Sequence, residues 1–451
     1  MILLISGCSI SQKYTRSELH IPNNYRGSVS LTSDTIQLFW RSFFKDTILI
    51  SLIEQSLQKN SDILAAILTL QQTELAYKQS RLAPLPSIDL NGSISNTWPS
   101  KYSSISQISG SGKSSDYTSS LNLAWEIDIW KKASLQKKGA LAGFFAQKEN
   151  VSALKTRIIV LVAQAYYNLV ALDEQLMVSK RNVELSDSTL AMIELQYNSA
   201  LTNSLAVYQA KAQKSTAEML EQSVLQNIAI QENAISILCG NYPDSITRTK
   251  QLFPNLEIEN TGIPAKLLSR RPDVKAAEYN VIYACSKTGL AKAAMYPSFS
   301  LSSSVGTNAS LFNNWFNLPG SITKSFGVNL TQPIFQRKAL KSAYNIALLE
   351  QEKANAQFKQ TVLTAVGEVS DALAKISFTG TRTTLMEEKR EALSNASKDA
   401  ILLFKNGAAN YLEVITVQNN ALQCDLEVVS LKYDRLIAYV DLYRALGGGG
   451  E

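Results

Sequence analysis

A single histidine, His20, stands in the whole chain, near its N-terminus. Histidine-based triads and His-ligated metal sites are thereby nearly excluded, and no H-x-x-x-H, G-x-S-x-G, P-loop or C-x-x-C pattern is present. Acidic and tyrosine side chains are scattered without a catalytic constellation, so neither an enzyme, a cofactor nor a metal site is expected. The four cysteines, Cys8, Cys239, Cys285 and Cys424, are too widely spaced for a zinc site. Cys239, Cys285 and Cys424 fall in helical patterns, where the plain reading is a small buried apolar residue. No spacing argument brings Cys285 and Cys424 within disulfide reach. Cys8 differs, because it closes "LLISGC", the pattern of a bacterial lipobox, in which a leader is cut before the cysteine and the sulfur takes a lipid. The run before Cys8 is seven residues and lacks a positive leading region, so either the leader is incomplete or the match is fortuitous.

A second dense stretch is Arg270-Arg271-Pro272-Asp273. Pro272 fits the first turn of a helix and Asp273 its positive end. Arg270 and Arg271 are expected to pair with carboxylates, a structural role rather than a substrate-binding one.

The chain has 451 residues, 45% hydrophobic and 18% charged, which fits folded protein rather than disorder. Its net charge of +6 comes from 44 basic and 38 acidic residues without a basic block, so nucleic acid is not an expected partner. No stretch reaches the ~18 uninterrupted apolar residues of a transmembrane helix. A membrane protein of this sequence would have to span by strands.

Proline placement divides the chain, because proline costs about 3 kcal/mol inside a helix. No proline occurs from 100 to 242 or from 334 onward. The first gap carries a seven-residue repeat, Val162, Leu169, Leu176, Val183, Leu190, Tyr197. The last helix interleaves Leu412, Asn419, Leu426, Tyr433, Val440 with Ile415, Leu422, Val429, Leu436, Tyr443, the pattern of a coiled coil. Helices are predicted from about 133 to 200 and about 336 to 406, each ~100 Å long at 1.5 Å per residue. Each ends in a matched interruption, "QYNSALTNSLAV" and "LFKNGAANYLEV". Gly407 suits a helix C′ position, and Asn410 a helix N-cap; in the other copy Ala200 is the small residue and Asn203 or Ser204 can cap. Both stretches read as tight turns at the tips of long helical hairpins.

Between the helical runs lie segments of period-two alternation. Ile88, Leu90, Ile94 and Trp98 share one face against Asp89, Asn91, Ser93 and Ser95; Leu121, Leu123, Trp125, Ile127 and Ile129 share one against Ser120, Asn122, Glu126 and Asp128. Phe299, Leu301, Val305 and then Phe326, Val328, Leu330, Ile334 repeat the arrangement. Such strands fit an outer-membrane barrel wall, with an ordinary exposed antiparallel sheet as the alternative. The whole plan is written twice. Residues 1–8 are read as a leader remnant with lipobox. Residues 9–240 form a first repeat, with strands at about 87–98 and 117–130 and a tip at about 200–205. Residues 241–451 form a second, with strands at about 298–307 and 322–335 and a tip at about 407–412. Four strands cannot close a barrel in lipid, where each unpaired edge group costs several kcal/mol. Three chains would supply twelve strands and a wet lumen.

Six blocks, in order and spanning nearly the whole chain, carry a family resemblance: "LLISGC", "AWEIDIW" at 124–130, "IPAKLLSRRPDVKAAE" at 263–278, "AKAAMYPSFSLSSSVG" at 291–306, "GAANYLEVITVQ" at 407–418, and "YRALGGGG". The chain resembles the outer-membrane factors of tripartite efflux systems, in the TolC-like superfamily and its OprM/NodT-like lipoprotein branch. The resemblance implies a mainly α fold with a membrane β-barrel: duplicated long helical hairpins build an α-barrel, and four strands per chain join a trimeric 12-stranded β-barrel. It implies a homotrimeric passive conduit in the bacterial outer membrane, lipid-anchored at Cys8 and extending into the periplasm. Its partners would be a periplasmic adaptor (membrane fusion) protein, an inner-membrane pump of the RND or a related class, and outer-membrane lipid. Its cargo would be small toxic molecules such as drugs, dyes or metal ions.

The tip residues Ala200, Asn203, Ser204, Leu205, Gly407, Asn410, Tyr411 and Leu412 resemble the surface on which the family's adaptors dock. One turn beyond, many members carry an acidic residue in an "L-D-A-Q"-like stretch that narrows the closed pore. Here the stretch is Ile415-Thr416-Val417-Gln418, with Thr416 at the acidic position and Glu413 one turn away. Thr416 and Glu413 are expected to line the constriction, with Glu413 supplying any cation preference. Two rivals remain: a related channel for type I protein secretion, and a non-pore periplasmic coiled-coil lipoprotein acting as a scaffold. The matched hairpins disfavour the scaffold, which has no use for them.

Overall fold

The computed structural model describes residues 14–16, 18–22, 25–26, 39–100, 102, 113–249 and 266–448. Cys8 lies outside the described residues. In chain order the elements are α1 (Trp40–Phe43), α2 (Thr47–Lys59), α3 (Ser61–Leu82), β1 (Ser87–Thr97), β2 (Ser114–Ile127), α4 (Lys132–Asn198) and α5 (Ser204–Leu238). There follow α6 (Leu267–Arg270), α7 (Pro272–Ala293), β3 (Ser298–Ala309), a 3-10 turn (Phe312–Asn314), β4 (Ile322–Thr331), α8 (Ala339–Lys405) and α9 (Tyr411–Ala445). The lengths repeat: α4 and α8 have 67 residues each, and α5 and α9 have 35 each.

Two compact units are present. The first comprises Leu70–Gln147 and Ala277–Phe358 with the described part of Met1–Glu18; the second comprises Leu19–Thr69, Lys148–Ala276 and Lys359–Glu451.

In the first unit the four strands form one antiparallel sheet in the order β1-β2-β3-β4. The register sets Leu90 opposite Leu121, Leu121 opposite Val305, Trp125 opposite Leu301, and Leu301 opposite Val328. Asp89, Asn122, Ser304 and Ser325 run across the other face in the same way. Because directly paired residues share a face, all four strands present one apolar face and one polar face. Gly306 lies where an added Cβ would meet the backbone of Ser120, so the β2–β3 approach requires glycine there.

Two strand ends differ from expectation. The segment expected at about 117–130 runs Ser114–Ile127, because Asp128 turns away and accepts from the Ala133 N–H at 3.1 Å, close to the start of α4. The segment expected at about 322–335 ends at Thr331, since Pro333 has no N–H to donate to a ladder. Ile129 and Ile334 therefore lie beyond the strands.

In the second unit the helices pack on Phe44, Leu49, Ile53, Ile159, Tyr166, Tyr167 and Tyr443, with Phe43 stacked on Tyr443 at 4.7 Å. Asp46 starts α2 by accepting from the N–H groups of Ile48 and Leu49 at 2.8 and 3.3 Å. The same carboxylate accepts from the Tyr166 hydroxyl at 2.7 Å and from Thr249 at 3.1 Å. The heptad of α4 does not stay buried along its length. Val162 and Leu169 are inside, but further on Asn182, Ser186, Thr189 and Ile193 take the inner positions, and Tyr197 is exposed. From Leu172 on, the covered stripe is Leu172, Ser179, Ser186 and Ile193, seven residues apart, with Asn182 and Thr189 between them, so the repeat of Val162 and Leu169 continues beside the covered stripe and not within it. Among the described residues, Cys239, Cys285 and Cys424 form no disulfide.

Candidate functional site: the helical tips and the membrane sheet

Both tips lie in the second unit and close in the same way. At the first, the Ala200 N–H donates to Tyr197 O at 3.0 Å and the Leu201 N–H to Gln196 O at 2.9 Å. At the second, the Gly407 N–H donates to Phe404 O at 3.1 Å and the Ala408 N–H to Leu403 O at 2.9 Å. Each is a Schellman closure, which requires a left-handed residue at C′. Gly407 supplies it at φ 69°, and Ala200 at φ 55°.

The next helix is capped by asparagine in both copies. Asn203 accepts from the Ala206 N–H at 3.2 Å, and Asn410 from the Glu413 N–H at 3.0 Å. Between the two candidates for the first cap, Asn203 is the one that acts, and Ser204 opens α5. Only the second tip completes a capping box, with the Glu413 carboxylate accepting from the Asn410 N–H at 3.3 Å. Glu413 is thus folded back on its own helix start. Thr416 likewise donates to Leu412 O at 2.7 Å.

The two tips share one core of Ile193, Ala206, Ala210, Ala400, Phe404, Tyr411 and Val414. Tyr411, expected on the docking surface, is instead 6% exposed and packs with Phe404. The reason is again the choice of register: at this end of α9 the buried positions are Tyr411, Val414 and Gln418, one position away from Leu412 and Ile415. Its hydroxyl has no hydrogen-bond partner, and burial pushes its pKa up to about 12. Leu205 and Leu412 face outward with Leu201, which lies within the expected tip, and with Tyr208, an exposed side chain that the sequence reading missed. Its signal was available: Tyr208 sits in the second turn after the capping asparagine, on the helix face opposite Ala206 and Ala210.

The Arg270–Asp273 block also falls in the second unit, where α6 meets α7. Arg271 is 5% exposed and binds Asp273 through two nitrogens at 3.0 and 2.6 Å, Glu368 at 2.6 Å, and the Ala445 carbonyl at 3.2 Å. Burial works against its charge, but Asp273 and Glu368 outweigh it and hold the guanidinium above its ordinary pKa. Burial would likewise raise Asp273, yet Arg271 prevails and its carboxyl is held below the usual range. Asn60, at the corresponding joint between α2 and α3, donates to the Leu238 carbonyl at 3.1 Å. Leu238 ends α5 as Ala445 ends α9. Arg271 therefore does at one joint what Asn60 does at the other, and the block is a repeat junction. At both joints a glycine with positive φ, Gly240 or Gly447, closes against the last residue before the junction, Lys59 or Arg270.

In the first unit the sheet leaves its apolar face open: Ile88, Leu90, Ile94, Phe326, Val328 and Leu330 are all exposed. Aromatic rings gather at both ends. Tyr117, Phe312, Trp315 and Phe316 cluster at the hairpin end; at the other, Trp130 packs on Tyr296 and donates to Pro297 O at 2.5 Å. An apolar band flanked by aromatic girdles is the lipid face of an outer-membrane strand set. Among the described residues no helix is long and apolar enough to cross a membrane, and no group of three or more His, Cys, Asp or Glu could hold a metal ion.

The outer membrane efflux protein family model matches residues 52–241 and 263–448. The chain belongs to this family. Among its relatives, the cation efflux system protein CusC of Escherichia coli K12 is 25% identical over 454 residues, covering 99% of this chain and 97% of that protein. The toluene efflux pump outer membrane protein TtgF of Pseudomonas putida is 26% identical over 463 residues, covering 99% and 95%. A crystal structure of a membrane protein from Pseudomonas aeruginosa superposes with a TM-score of 0.87 at 25% identity, covering 98% of each chain. This outer membrane efflux protein is accordingly a channel component of an efflux system in the bacterial outer membrane, with a helical part and a four-stranded contribution to the barrel.

Proposed function

We propose that three copies of the chain close into a 12-stranded barrel and act as a passive conduit. The observation that carries this reading is the four-stranded sheet of the first unit, with one mainly apolar face and two unpaired edges, β1 and β4. In lipid those edges demand partner strands, and a second copy offers β4 to β1. The polar face, rich in Ser and Asn, then lines a wet lumen. Each repeat of the chain, residues 9–240 and 241–451, supplies one hairpin and one tip.

The tips, with Leu201, Leu205, Tyr208 and Leu412 exposed, form the docking surface for a periplasmic adaptor, which couples the channel to an inner-membrane pump of the RND or a related class. The cargo is small toxic molecules; relatives are named for cations and for toluene. Cys8 carries the lipid anchor. Glu413 and Thr416 border the constriction, and Glu413 takes part in ion selectivity only when its carboxylate leaves the capping box. Single-channel recording of Glu413→Gln should show reduced cation preference; unchanged selectivity removes Glu413 from that role.

The protein mass of the detergent-extracted particle, by light scattering with detergent subtracted, tests the assembly. Three chains per particle are expected. A stable monomer would leave both edges open and defeat the conduit.

A further inference from the structure

The block that begins with Arg270 ends at Glu278, and the α6–α7 junction makes no use of that residue. Its partner comes from 262 residues away. In the first unit, Arg16 donates from Nε to Glu278 Oε1 at 2.7 Å and from Nη2 to Oε2 at 2.6 Å. The Tyr14 hydroxyl donates to Oε1 at 3.1 Å. Three donors on one short segment converge on a single carboxylate, in the bidentate geometry that gives an Arg–carboxylate pair direction as well as charge. The Glu278 side chain is 17% exposed and that of Arg16 48%, so the acceptor belongs to the helix surface and the donors reach down to it. Burial, with the Glu278 charge next, pushes the Tyr14 hydroxyl up to about 12, so it stays a donor across the physiological range.

We propose that Glu278 is the docking site for the chain's own N-terminal strap, held through Tyr14 and Arg16, and that this clasp keeps the tether to a lipid on Cys8 short. The inference rests on the proposed lipidation of Cys8 and adds the point where its tether is fixed. Cys8 stands six residues before Tyr14, so its Cα lies within about 22 Å of the Tyr14 Cα however the chain runs. From Glu278 to the end of α7 at Ala293 the helix climbs about 22 Å, and the first residue of β3 is Ser298. The tether is therefore about as long as the rise from the clasp to the start of the membrane strands. It has little slack to spare.

Limited trypsin digestion of the purified full-length protein tests the clasp, with cleavage after Lys13 and Arg16 followed by mass spectrometry. Both sites should be protected in the wild type. Glu278→Gln should be cut about tenfold faster or more, since proteolysis follows the population of the released strap. The double exchange Arg16→Glu with Glu278→Arg should restore protection at Lys13. Equal cleavage in the wild type and Glu278→Gln overturns the clasp. Palmitate labelling of the same preparations separates the two readings: label with unprotected sites leaves the lipid and removes the clasp. Protection without label keeps the clasp and overturns its role as a lipid tether.

Discussion

The two tips of this outer membrane efflux protein are copies of one plan, yet they divide the work of holding together unequally. The second gives the shared core its aromatic rings, Phe404 and Tyr411, and Val414; the first gives Ile193, Ala206 and Ala210. Phe404 is 6% exposed, and its counterpart Tyr197 is 47% exposed. The second tip closes with glycine and a full capping box, the first with Ala200 in a left-handed conformation and a lone asparagine. The comparison teaches that one tip turns its aromatic rings into the shared core. The other leaves Leu201, Leu205 and Tyr208 exposed, on the surface proposed for adaptor docking.

The largest break in that asymmetry should come from Phe404→Ala. Removing a buried aromatic costs about 3–5 kcal/mol, whereas Tyr197→Ala should stay within about 1 kcal/mol. Hydrogen exchange of the amides around both tips reads the difference directly, because these ends open locally. Equal acceleration in the two variants would mean that the shared core is not where the tips are held.

A similar contrast exists at the joints, where Asn60 stands in one and the Arg271–Asp273–Glu368 group in the other. Arg271→Ala should cost about 2 kcal/mol or more, less than a fully buried pair, because the Asp273 side chain is still 42% exposed and screened. The group also makes the joint acid-sensitive. The folded state holds the Asp273 carboxyl below its ordinary value of 3.8, so its stabilisation is present above that pH and is lost as pH falls through the lower folded value. Thermal unfolding between pH 5 and pH 2 should show a steeper acid loss in the wild type than in Asp273→Asn. Matching slopes would remove this ion pair from the acid response.

Smaller effects sharpen the caps. Asn410→Ala should cost about 1–2 kcal/mol, more than Asn203→Ala, since it also frees the Glu413 side chain. Equal acceleration of the first-turn amides of α9 and α5 in the two variants would mean that the capping box adds nothing. Smallest of all, Ala200→Gly should stabilise the first tip by about 1 kcal/mol, and Gly407→Ala should weaken the second by a similar amount, because an L side chain at positive φ is strained. Adaptor binding to Ala200→Gly should be unchanged, as Leu201 and Leu205 remain.

Features written within a few residues of one another were legible in the sequence. The strands, the proline-free helices, the asparagine caps and the Gly407 closure all follow from dihedral preference, missing proline donors and side-chain periodicity. The first turn of α7 at Pro272 and Asp273 was legible for the same reason. Positions that depend on which of two adjacent heptad registers is covered were not: the repeat placed Tyr197 and Leu412 inwards, whereas packing covered the neighbouring register, left them outside and brought Tyr411 in. Only the tertiary structure decided which distant groups meet. It paired β2 with β3 so that four half-apolar strands became one continuous face. It also joined Arg271 to Glu368, and Arg16 to Glu278. Local order is set by neighbours along the chain, whereas such pairings are set by how whole elements pack, and no short stretch of sequence contains both partners.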